Sequence, residues 1–470
     1  MSARPNRFDT NADGWDGAGG PQDLYFTRDE GWPFPRVVRA DDIYFYDENG
    51  TRYIDCSSGP VASNLGHNNR RVIEAMKAQL DKLPFNTVRL ARSDENIAIA
   101  ERLAEFAGEG FERPFFVSGG SEANEVAVQF ARQWAWAHGD TERKRLFSLM
   151  PSYHGGTIFA QMLSGDEAVA PIFKDMAALP ERIEAPLSYR PPDGLTHEQN
   201  EDRVCEQFEN RIQCVGPETC LALIMEPVGG LATGANVLSG RFLKRMREIC
   251  TKYGLLMILD EVMSGAGRSG KFLTTHHHGP ECKPDLVVLA KGIGSGYIPL
   301  GIMLAPAAMV DELSALGGFN YGHTSNANPL ACAVGLATLE EMDERKLIEN
   351  AASTGAYLKE RMTALAESSP IIGDVRGLGF LQATELVADK ATKEIFSAEV
   401  KAPDTLRRLG LDLGLSLYAR RTNNGKYGDW VMTSPPLITT PAQVDEMVEL
   451  LGQLFSAFTD KLVRDGVRIA

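Results

Sequence analysis

Short apolar runs of strand length recur through the middle of the chain and alternate with segments of helical periodicity. The apolar runs are FFV at 115–117, LALIM at 221–225, LLMIL at 255–259, DLVVLA at 285–290 and LGIML at 300–304. Helical segments at 121–138 and 240–253 lie between several of these runs. Continuous apolar strands are typical of a parallel sheet that is covered on both faces. The pattern therefore predicts an α/β fold with a mostly parallel, doubly wound central sheet.

The flanking segments predict a second, smaller α+β domain. At 43–54 the sequence ENG lies between two runs rich in aromatic and β-branched residues, which indicates a β-hairpin. Helical periodicity dominates 331–366, a strand candidate lies at 375–386, and Thr440-Pro441 begins a final amphipathic helix. The resulting division is a flexible arm at 1–24, the first part of the small domain at 25–69, the large domain at 70–329 and the rest of the small domain at 330–470.

The charge balance narrows the classes of partner. Asp plus Glu number 63 and Lys plus Arg 48, so the net charge is −15, and no basic run is present. Such a surface repels phosphate backbones and anionic lipids, so we expect neither nucleic acid nor membrane as the main partner. The seven cysteines include no C-x-x-C pair, which indicates reduced thiols. Because no secretory signal or membrane-spanning stretch is visible, we expect a cytoplasmic location.

Polar residues suited to chemistry follow three of the apolar runs. The segment SGGS at 118–121 opens a helix whose free N–H groups can hold a phosphate, although a plain capped helix start is the alternative. Asp260 follows LLMIL, where a carboxylate needs a cationic or donor partner or else caps the next segment. Lys291 follows DLVVLA and enters a glycine-rich loop, as a desolvated nucleophile or as an ordinary solvated lysine.

Taken together, these three features match the requirements of pyridoxal 5'-phosphate. That cofactor needs an anion site, a carboxylate that keeps its pyridinium nitrogen protonated, and an amine that forms a Schiff base. The combination therefore favours a pyridoxal-phosphate enzyme over each separate structural explanation.

The motifs around these residues resemble the class III, ω-amino-acid type, pyridoxal-phosphate aminotransferases, and the likeness covers nearly the whole chain from about Tyr25. SGGSEAN at 118–124 resembles the family's phosphate-binding segment. LDEVMSGAGRSG at 259–270 resembles its long signature, and PDLVVLAKGIGSGYIPLG at 284–301 its lysine segment. The resemblance implies the fold-type-I architecture of pyridoxal-phosphate transferases.

The resemblance also implies a catalytic pair and a cofactor site. Lys291 would be the Schiff-base residue, and Asp260 would hold the pyridinium nitrogen. The implied cofactor-binding residues are Gly120, Ser121, Tyr153, His154, Asp260, Val262, Lys291 and Thr324. Tyr153 and Val262 would cover opposite ring faces. The structural alternatives are that Tyr153 is an ordinary packed aromatic residue and that His154 orients the backbone without taking part in catalysis. Thr324 would reach the phosphate of a neighbouring subunit, which implies a homodimer with shared active sites and leaves a tetramer open.

On the substrate side, the resemblance implies Val61, Glu226, Arg420 and Arg421. Val61 stands where amine-accepting members often carry a bulky aromatic residue, and Glu226 belongs to a motif near the family's gating arginine. Either Arg420 or Arg421 can be that arginine, which binds the keto-acid carboxylate bidentately, and a surface pair is the alternative. Met263 replaces a Gln of some members that hydrogen-bonds the cofactor.

The implied activity is a ping-pong transamination. An ω-amino acid, diamine or related amine would be the small-molecule donor, and a keto acid, pyruvate or 2-oxoglutarate, the acceptor. A racemase, aminomutase or decarboxylase of the same fold is the alternative, and an inactive binding protein is a second one. No metal is expected, because the consecutive histidines at 276–278 do not face one way on any regular element.

Overall fold

The computed structural model describes residues 35–166, 176, 179–230 and 232–470. The predicted arm at 1–24 and the start of the 25–69 segment lie outside the described residues. Within the described part, the strands form one large sheet and two smaller sheets. The predicted α/β architecture with a mostly parallel central sheet is confirmed.

The large sheet has seven strands in the order β4-β10-β9-β8-β7-β5-β6. In that order the strands are Arg113–Val117, Gly301–Ala305, Leu286–Leu289, Leu256–Asp260, Cys220–Met225, Arg145–Met150 and Glu181–Glu184. The pairs from β9 through β6 are parallel. The sequence did not predict β5 and β6, because a serine interrupts the apolar run of β5 and three of the four residues of β6 are charged.

Strand β10 departs from the prediction, because it runs antiparallel to both β4 and β9. The apolar run at 300–304 was expected to be one more parallel strand. Only residues 290–300 connect β9 to β10, and they form a compact turn without a crossover helix. A parallel neighbour needs a longer crossover, so this short connection imposes the antiparallel direction.

Helices cover both faces of the large sheet, and others lie in the segments before and after it. Their bounds are Ser58–Val61 (α1), Arg70–Lys82 (α2), Asp94–Ala107 (α3), Gly120–Ala137 (α4), Ile158–Leu163 (α5), His197–Val215 (α6), Gly240–Tyr253 (α7), Ala307–Ala315 (α8), Pro329–Glu344 (α9), Leu347–Ser368 (α10), Ala402–Asp412 (α11) and Pro441–Arg464 (α12). One buried cluster joins α4 to the sheet, and a second joins α6 and α7 to the other face. This two-sided cover explains the uninterrupted apolar strands.

The two smaller sheets combine distant parts of the chain. The first has the order β1-β2-β3-β13, from Val37–Asp41, Tyr44–Asp47, Arg52–Asp55 and Leu415–Ser416. The second has the order β11-β12-β15-β14, from Ile372–Leu378, Leu381–Leu386, Asp429–Thr433 and Tyr418–Arg421. The predicted hairpin at 43–54 is confirmed as β2 and β3. The single strand candidate at 375–386 is instead the hairpin β11–β12, in which Gly377 and Gly379 have positive φ at the turn.

The last helix begins at a capping box. Thr440 caps α12 and exchanges hydrogen bonds with Gln443 in a capping box, which confirms the predicted helix start. No helix among the described residues has the length and apolarity that a bilayer crossing requires. The domain boundaries at 69 and 329 remain predictions.

Candidate active site

Three elements of the large sheet converge on one cavity of about 390 Å³. They are the carboxyl end of β8, the turn that follows β9, and the N-terminus of α4. The cavity is lined by Ala62, Ser118, Gly119, Gly120, Ser121, Asn124, Tyr153, His154, Gly155, Glu226, Asp260, Val262, Met263, Ala290, Lys291, Gly296, Ile298, Pro299 and Leu300. Parallel strands end at the same edge of a sheet, so residues far apart in sequence meet here.

The N-terminus of α4 forms the part of the cavity that can hold a phosphate. Helix α4 begins at Gly120, and no side chain caps its first N–H groups. The Oγ atom of Ser121 accepts a hydrogen bond from the N–H of Gly156 at 2.9 Å, which joins the helix start to the 153–156 loop. A Cβ atom on Gly120 would lie 2.9 Å from a methyl group of Val262, so only glycine allows this close approach. Free N–H groups and the helix dipole favour an anion at such a position.

Asp260 is buried and held by three donors. Nδ1 of His154 and Nδ2 of Asn124 each lie 2.8 Å from its Oδ2 atom, and the N–H of Val262 donates to Oδ1 at 3.0 Å. The His154 side chain is fully buried, so its imidazole orients the carboxylate. We expected His154 to orient the backbone, and its carbonyl does accept a hydrogen bond from Asn124. A buried carboxylate with this support can bind a protonated ring nitrogen.

Lys291 opens the turn after β9 in the left-handed region, with φ of 48°. A non-glycine residue in this region is uncommon and often marks a functional position. Burial lowers the pKa of the Lys291 ammonium to about 8, and the negative charges of Asp260 and Glu226 oppose that shift. The amine therefore has an accessible neutral form near neutral pH, which nucleophilic and proton-transfer chemistry requires.

Glu226 and Tyr153 form another wall of the cavity. The carboxylate of Glu226 accepts hydrogen bonds from the N–H groups of Tyr153 and Gly230, both at 2.9 Å. Burial raises the pKa of Glu226 above its usual range. Burial also raises the pKa of the Tyr153 phenol, and the positive charge of Arg420 opposes that change. Glu226 therefore supports the Tyr153 backbone, and Arg420 lies close enough to act on its ring hydroxyl.

The structure separates the two candidate arginines. They are adjacent on β14, so their side chains point to opposite faces. Nη2 of Arg420 lies 3.4 Å from Oδ2 of Asp166 on the Tyr153 side. Arg421 instead donates to Asp429 at 2.8 Å and to the carbonyl of Phe396 at 2.9 Å, away from the cavity. Neither arginine is among the residues that line the cavity, and Arg420 is the one whose charge acts on a lining residue, Tyr153.

Val61 and Thr324 lie outside the cavity lining. Val61 is buried in an apolar cluster with Met263, and its neighbour Ala62 lines the cavity instead. Thr324 is exposed on the single chain, in the turn before α9. Their predicted contacts with substrate and with a partner's cofactor remain predictions.

Two buried residues with clear positioning contacts were quoted within sequence motifs but given no role. Asn124 bridges Asp260 to the His154 carbonyl, and its spacing of one helical turn from Ser121 was the available signal. Arg268 is fully buried and donates to Ser58 and Asn64 and to carbonyl groups at 434–435. Nothing in a linear sequence reveals that these distant segments meet, so the role of Arg268 could not be predicted.

Two of the histidines at 276–278 contact backbone carbonyl groups. Nε2 of His276 contacts the carbonyl of Ala107, and Nε2 of His277 contacts that of Ser269, both at 3.1 Å. Over the described ranges, no group of three or more His, Cys, Asp or Glu side chains is arranged to hold a metal ion.

The residues around the cavity fit pyridoxal 5'-phosphate. The uncapped start of α4, with the close glycine approach to Val262, suits a phosphate group. The supported carboxylate of Asp260 suits a pyridinium nitrogen, and the amine of Lys291 suits the aldehyde carbon. The cavity volume also lies in the range of small-molecule and cofactor sites.

Comparisons with known proteins agree with this chemistry. A family model described as Aminotransferase class-III matches residues 25–455. A diaminobutyrate–2-oxoglutarate transaminase of Halomonas elongata is 33% identical, with 92% of this chain and 92% of that protein covered. A putrescine–pyruvate aminotransferase of Pseudomonas aeruginosa is 31% identical, with 88% and 89% covered. A crystal structure of an amine transaminase from an uncultivated Pseudomonas species, in its PLP-bound form, has a TM-score of 0.85 at 31% identity and covers 93% of this chain and 99% of that chain. The chain therefore belongs to the class III aminotransferase family and is a pyridoxal-phosphate-dependent enzyme.

Proposed function

We propose that the protein is an ω-transaminase. It moves the amino group of an ω-amino acid, diamine or related amine to pyruvate or 2-oxoglutarate by a ping-pong mechanism. The observation that carries the proposal is the place of Arg420, beside Tyr153 and 3.4 Å from the carboxylate of Asp166. One site must accept a keto acid and then an amine without a carboxylate near the reacting carbon, and a loosely paired arginine at its rim suits both. Relatives named for diaminobutyrate and putrescine support this substrate class.

Each of the proposed cofactor-binding residues holds a different part of the cofactor. Bound pyridoxal 5'-phosphate supplies an electron sink through which an amino group and a proton can be exchanged. Gly120 and Ser121 bind the phosphate through the start of α4. Asp260, oriented by His154 and Asn124, holds the ring nitrogen in its protonated form. Tyr153 and Val262 confine the ring from opposite sides.

Lys291 carries the proton in this mechanism. Its lowered pKa of about 8 leaves a useful fraction of neutral Nζ near neutral pH. The neutral amine takes a proton from the carbon that bears the donor's amino group. When the keto acid is the substrate, the amine returns a proton to the carbonyl carbon. Asp260 and Glu226 are the nearby negative charges that keep this pKa from falling further.

Arg420 binds the carboxylate of the keto-acid acceptor. A guanidinium binds a carboxylate through two parallel hydrogen bonds, which fixes the keto acid in one orientation. When a monoamine donor occupies the site, Arg420 stays with Asp166. Met263 lines the cavity where some members of the resembled family carry a Gln that hydrogen-bonds the cofactor, so that bond would be missing here.

The active form is proposed to be a homodimer in which Thr324 reaches the phosphate site of the neighbouring subunit. Thr324 is exposed on the single chain, and so are the large apolar side chains of Phe85 and Leu90. Arg89 donates to the carbonyl of Tyr321, which ties the 85–90 segment to the turn that carries Thr324. Exposed apolar groups beside a site residue favour cover by a second copy. Two measurements on wild type and Thr324→Ala test this assembly. Sedimentation gives the oligomeric state, and titration with the cofactor gives the affinity of the phosphate site.

A donor screen tests the proposed activity. Terminal amines, ω-amino acids and diamines are each incubated with pyruvate or 2-oxoglutarate, and the carbonyl product and new amino acid are measured. The proposal expects equal amounts of both products and parallel lines in double-reciprocal plots. Racemisation or carbon dioxide release without an acceptor would show a different reaction of the same fold.

A further inference from the structure

The turn that carries Thr324 is tied to the start of α4 by a histidine–glutamate pair. Nε2 of His323 lies 3.1 Å from Oε2 of Glu122, which belongs to the first turn of α4. The same Oε2 atom accepts a hydrogen bond from the N–H of Ser118 at 2.8 Å, and Ser118 lines the cavity. Glu122 therefore joins a residue of the cavity lining to the turn before α9.

The hydrogen bonds around the His323 ring fix the place of its proton. Nδ1 accepts a hydrogen bond from the N–H of Ser325 at 3.1 Å, so this nitrogen carries a lone pair and no proton. The proton of the neutral ring is then on Nε2, which donates it to the Glu122 carboxylate. Both ring nitrogens are thus used, and the His323 side chain is only 14% exposed. The imidazole bridges the two segments only in this tautomer.

Thr324 lies between the two residues that this ring connects. Ser325 is bound to the His323 ring, and the ring is bound to α4, so the backbone on both sides of Thr324 has a defined place. A hydrogen bond from the N–H of Asn326 to the carbonyl of His323, at 3.1 Å, closes the turn. Thr324 itself is exposed on the single chain. An exposed side chain loses less conformational entropy on binding when the turn that carries it is already fixed.

We propose that His323 is a positioning residue for cofactor binding, because it holds Thr324 where the phosphate site of the neighbouring subunit can be reached. The inference rests on the proposed homodimer and deepens it by assigning the geometry of the shared site to a named side chain. The alternative is a residue that only fills space beside α4. In that case another ring of similar size would replace the imidazole, whereas the proposed role needs a hydrogen-bond donor toward Glu122.

Two substitutions separate these roles. His323→Phe keeps a ring and removes both nitrogens, whereas His323→Gln removes the ring and keeps an N–H donor near the position of Nε2. The dissociation constant of pyridoxal 5'-phosphate is measured by equilibrium dialysis of the full-length holoenzyme against graded cofactor concentrations. Sedimentation and thermal unfolding check the assembly and the folding of each variant. His138→Phe is the matched control, because Nε2 of His138 pairs with Glu312 at 2.9 Å just past the other end of α4.

His323→Phe is expected to raise the dissociation constant of the cofactor about tenfold, the effect of losing a hydrogen bond to a charged group. His323→Gln and His138→Phe should stay within about threefold of wild type. In a Thr324→Ala background, His323→Phe should have no further effect, because it acts through Thr324.

Three results would overturn the assignment of His323. They are an unchanged dissociation constant in His323→Phe, a larger loss of affinity in His323→Gln than in His323→Phe, and fully additive losses in the double variant with Thr324→Ala. An unchanged constant in Thr324→Ala alone is a separate result, because it refutes the shared phosphate site of the proposed homodimer and the role of His323 with it.

Discussion

The floor and the rim of the cavity are built in different ways. The floor consists of Asp260 at the end of β8, Lys291 in the turn after β9 and the start of α4, all on one buried sheet. The rim brings Arg420 from β14 of a small sheet next to Asp166 from a loop of the large sheet. Floor residues are surrounded by backbone and buried donors, whereas the rim pair is separated by 3.4 Å and its arginine is 28% exposed.

This difference indicates a division of labour. A rigid floor can hold a cofactor in one geometry, and chemistry that is common to a whole family can reside there. A rim assembled from distant segments can change its charges without disturbing that geometry. We therefore expect changes in the floor to reduce kcat and changes in the rim to alter KM for selected substrates. The predictions below test that split, beginning with the largest effect.

Lys291→Ala should abolish the floor's function. Without the amine, no group remains at this position to move the proton, so transamination should fall about 10⁴-fold or more. The rate of alanine formation from pyruvate with a responsive donor measures the loss. Lys252→Ala is the control, because Lys252 is an exposed lysine on α7 paired with Glu209, and it should retain the wild-type rate. A Lys291→Ala enzyme with more than a tenth of that rate would contradict the assignment.

Asp260→Asn should lower kcat about 10²- to 10³-fold, because a neutral amide does not hold a protonated ring nitrogen. The KM values should change far less, since the rim is untouched. Glu261→Gln is the matched control. Glu261 is the next residue and is fully buried, but it accepts hydrogen bonds from the N–H groups of Thr274 and Thr275 on the other side. Similar losses of kcat in both variants would contradict a specific role for Asp260.

Replacing the two arginines one at a time should separate an effect on keto-acid binding from an effect on stability. Arg420→Ala should raise the KM of the keto acid about 10- to 100-fold, the effect of losing a bidentate carboxylate contact. Arg421→Ala should leave that KM unchanged and lower the free energy of unfolding by about 2 kcal/mol, because buried Asp429 loses its partner. Steady-state kinetics and urea denaturation measure the two effects. If Arg421→Ala raises the KM and Arg420→Ala does not, the assignment is reversed.

The last prediction concerns pH and the buried carboxyl of Glu261, the residue next to Asp260. Burial raises the pKa of Glu261 from 4.5 to about 7, so the folded protein favours its neutral form. This contribution to stability is present below the unfolded pKa and is lost as pH rises through 7. The stability of wild type relative to Glu261→Gln should therefore fall by about 2 to 3 kcal/mol between pH 4.5 and 8. Urea denaturation at both pH values measures the difference, and a constant difference would refute the pKa shift.

The floor was largely predictable from the sequence, and the rim was not. Asp260 and Lys291 directly follow buried apolar runs, and local motifs surround them, so both their elements and their meeting point could be inferred. The choice between Arg420 and Arg421 needed the register of β14 against β15, which depends on pairing across a loop. Asp166 carried no motif, and only the contact between segments 152–154 and 164–166 places it near Tyr153.

The antiparallel direction of β10 shows the same limit within the large sheet. Its apolar run at 300–304 looks like those of the parallel strands, because burial on both faces gives the same pattern in either direction. The missing crossover helix in 290–300 was the available signal. The direction of the strand could thus be inferred from the length of the connection, and not from the sequence of the strand itself.

Reduction of the holoenzyme with borohydride tests the central claim most directly, because it fixes the cofactor to the lysine that holds it. The protein is reduced, digested and mapped by mass spectrometry, and an unreduced sample is the control. We expect the pyridoxyl group on the peptide that contains Lys291 and no other lysine labelled to a similar extent. A label on a different lysine, or a cofactor that washes away after reduction, would contradict the proposed site.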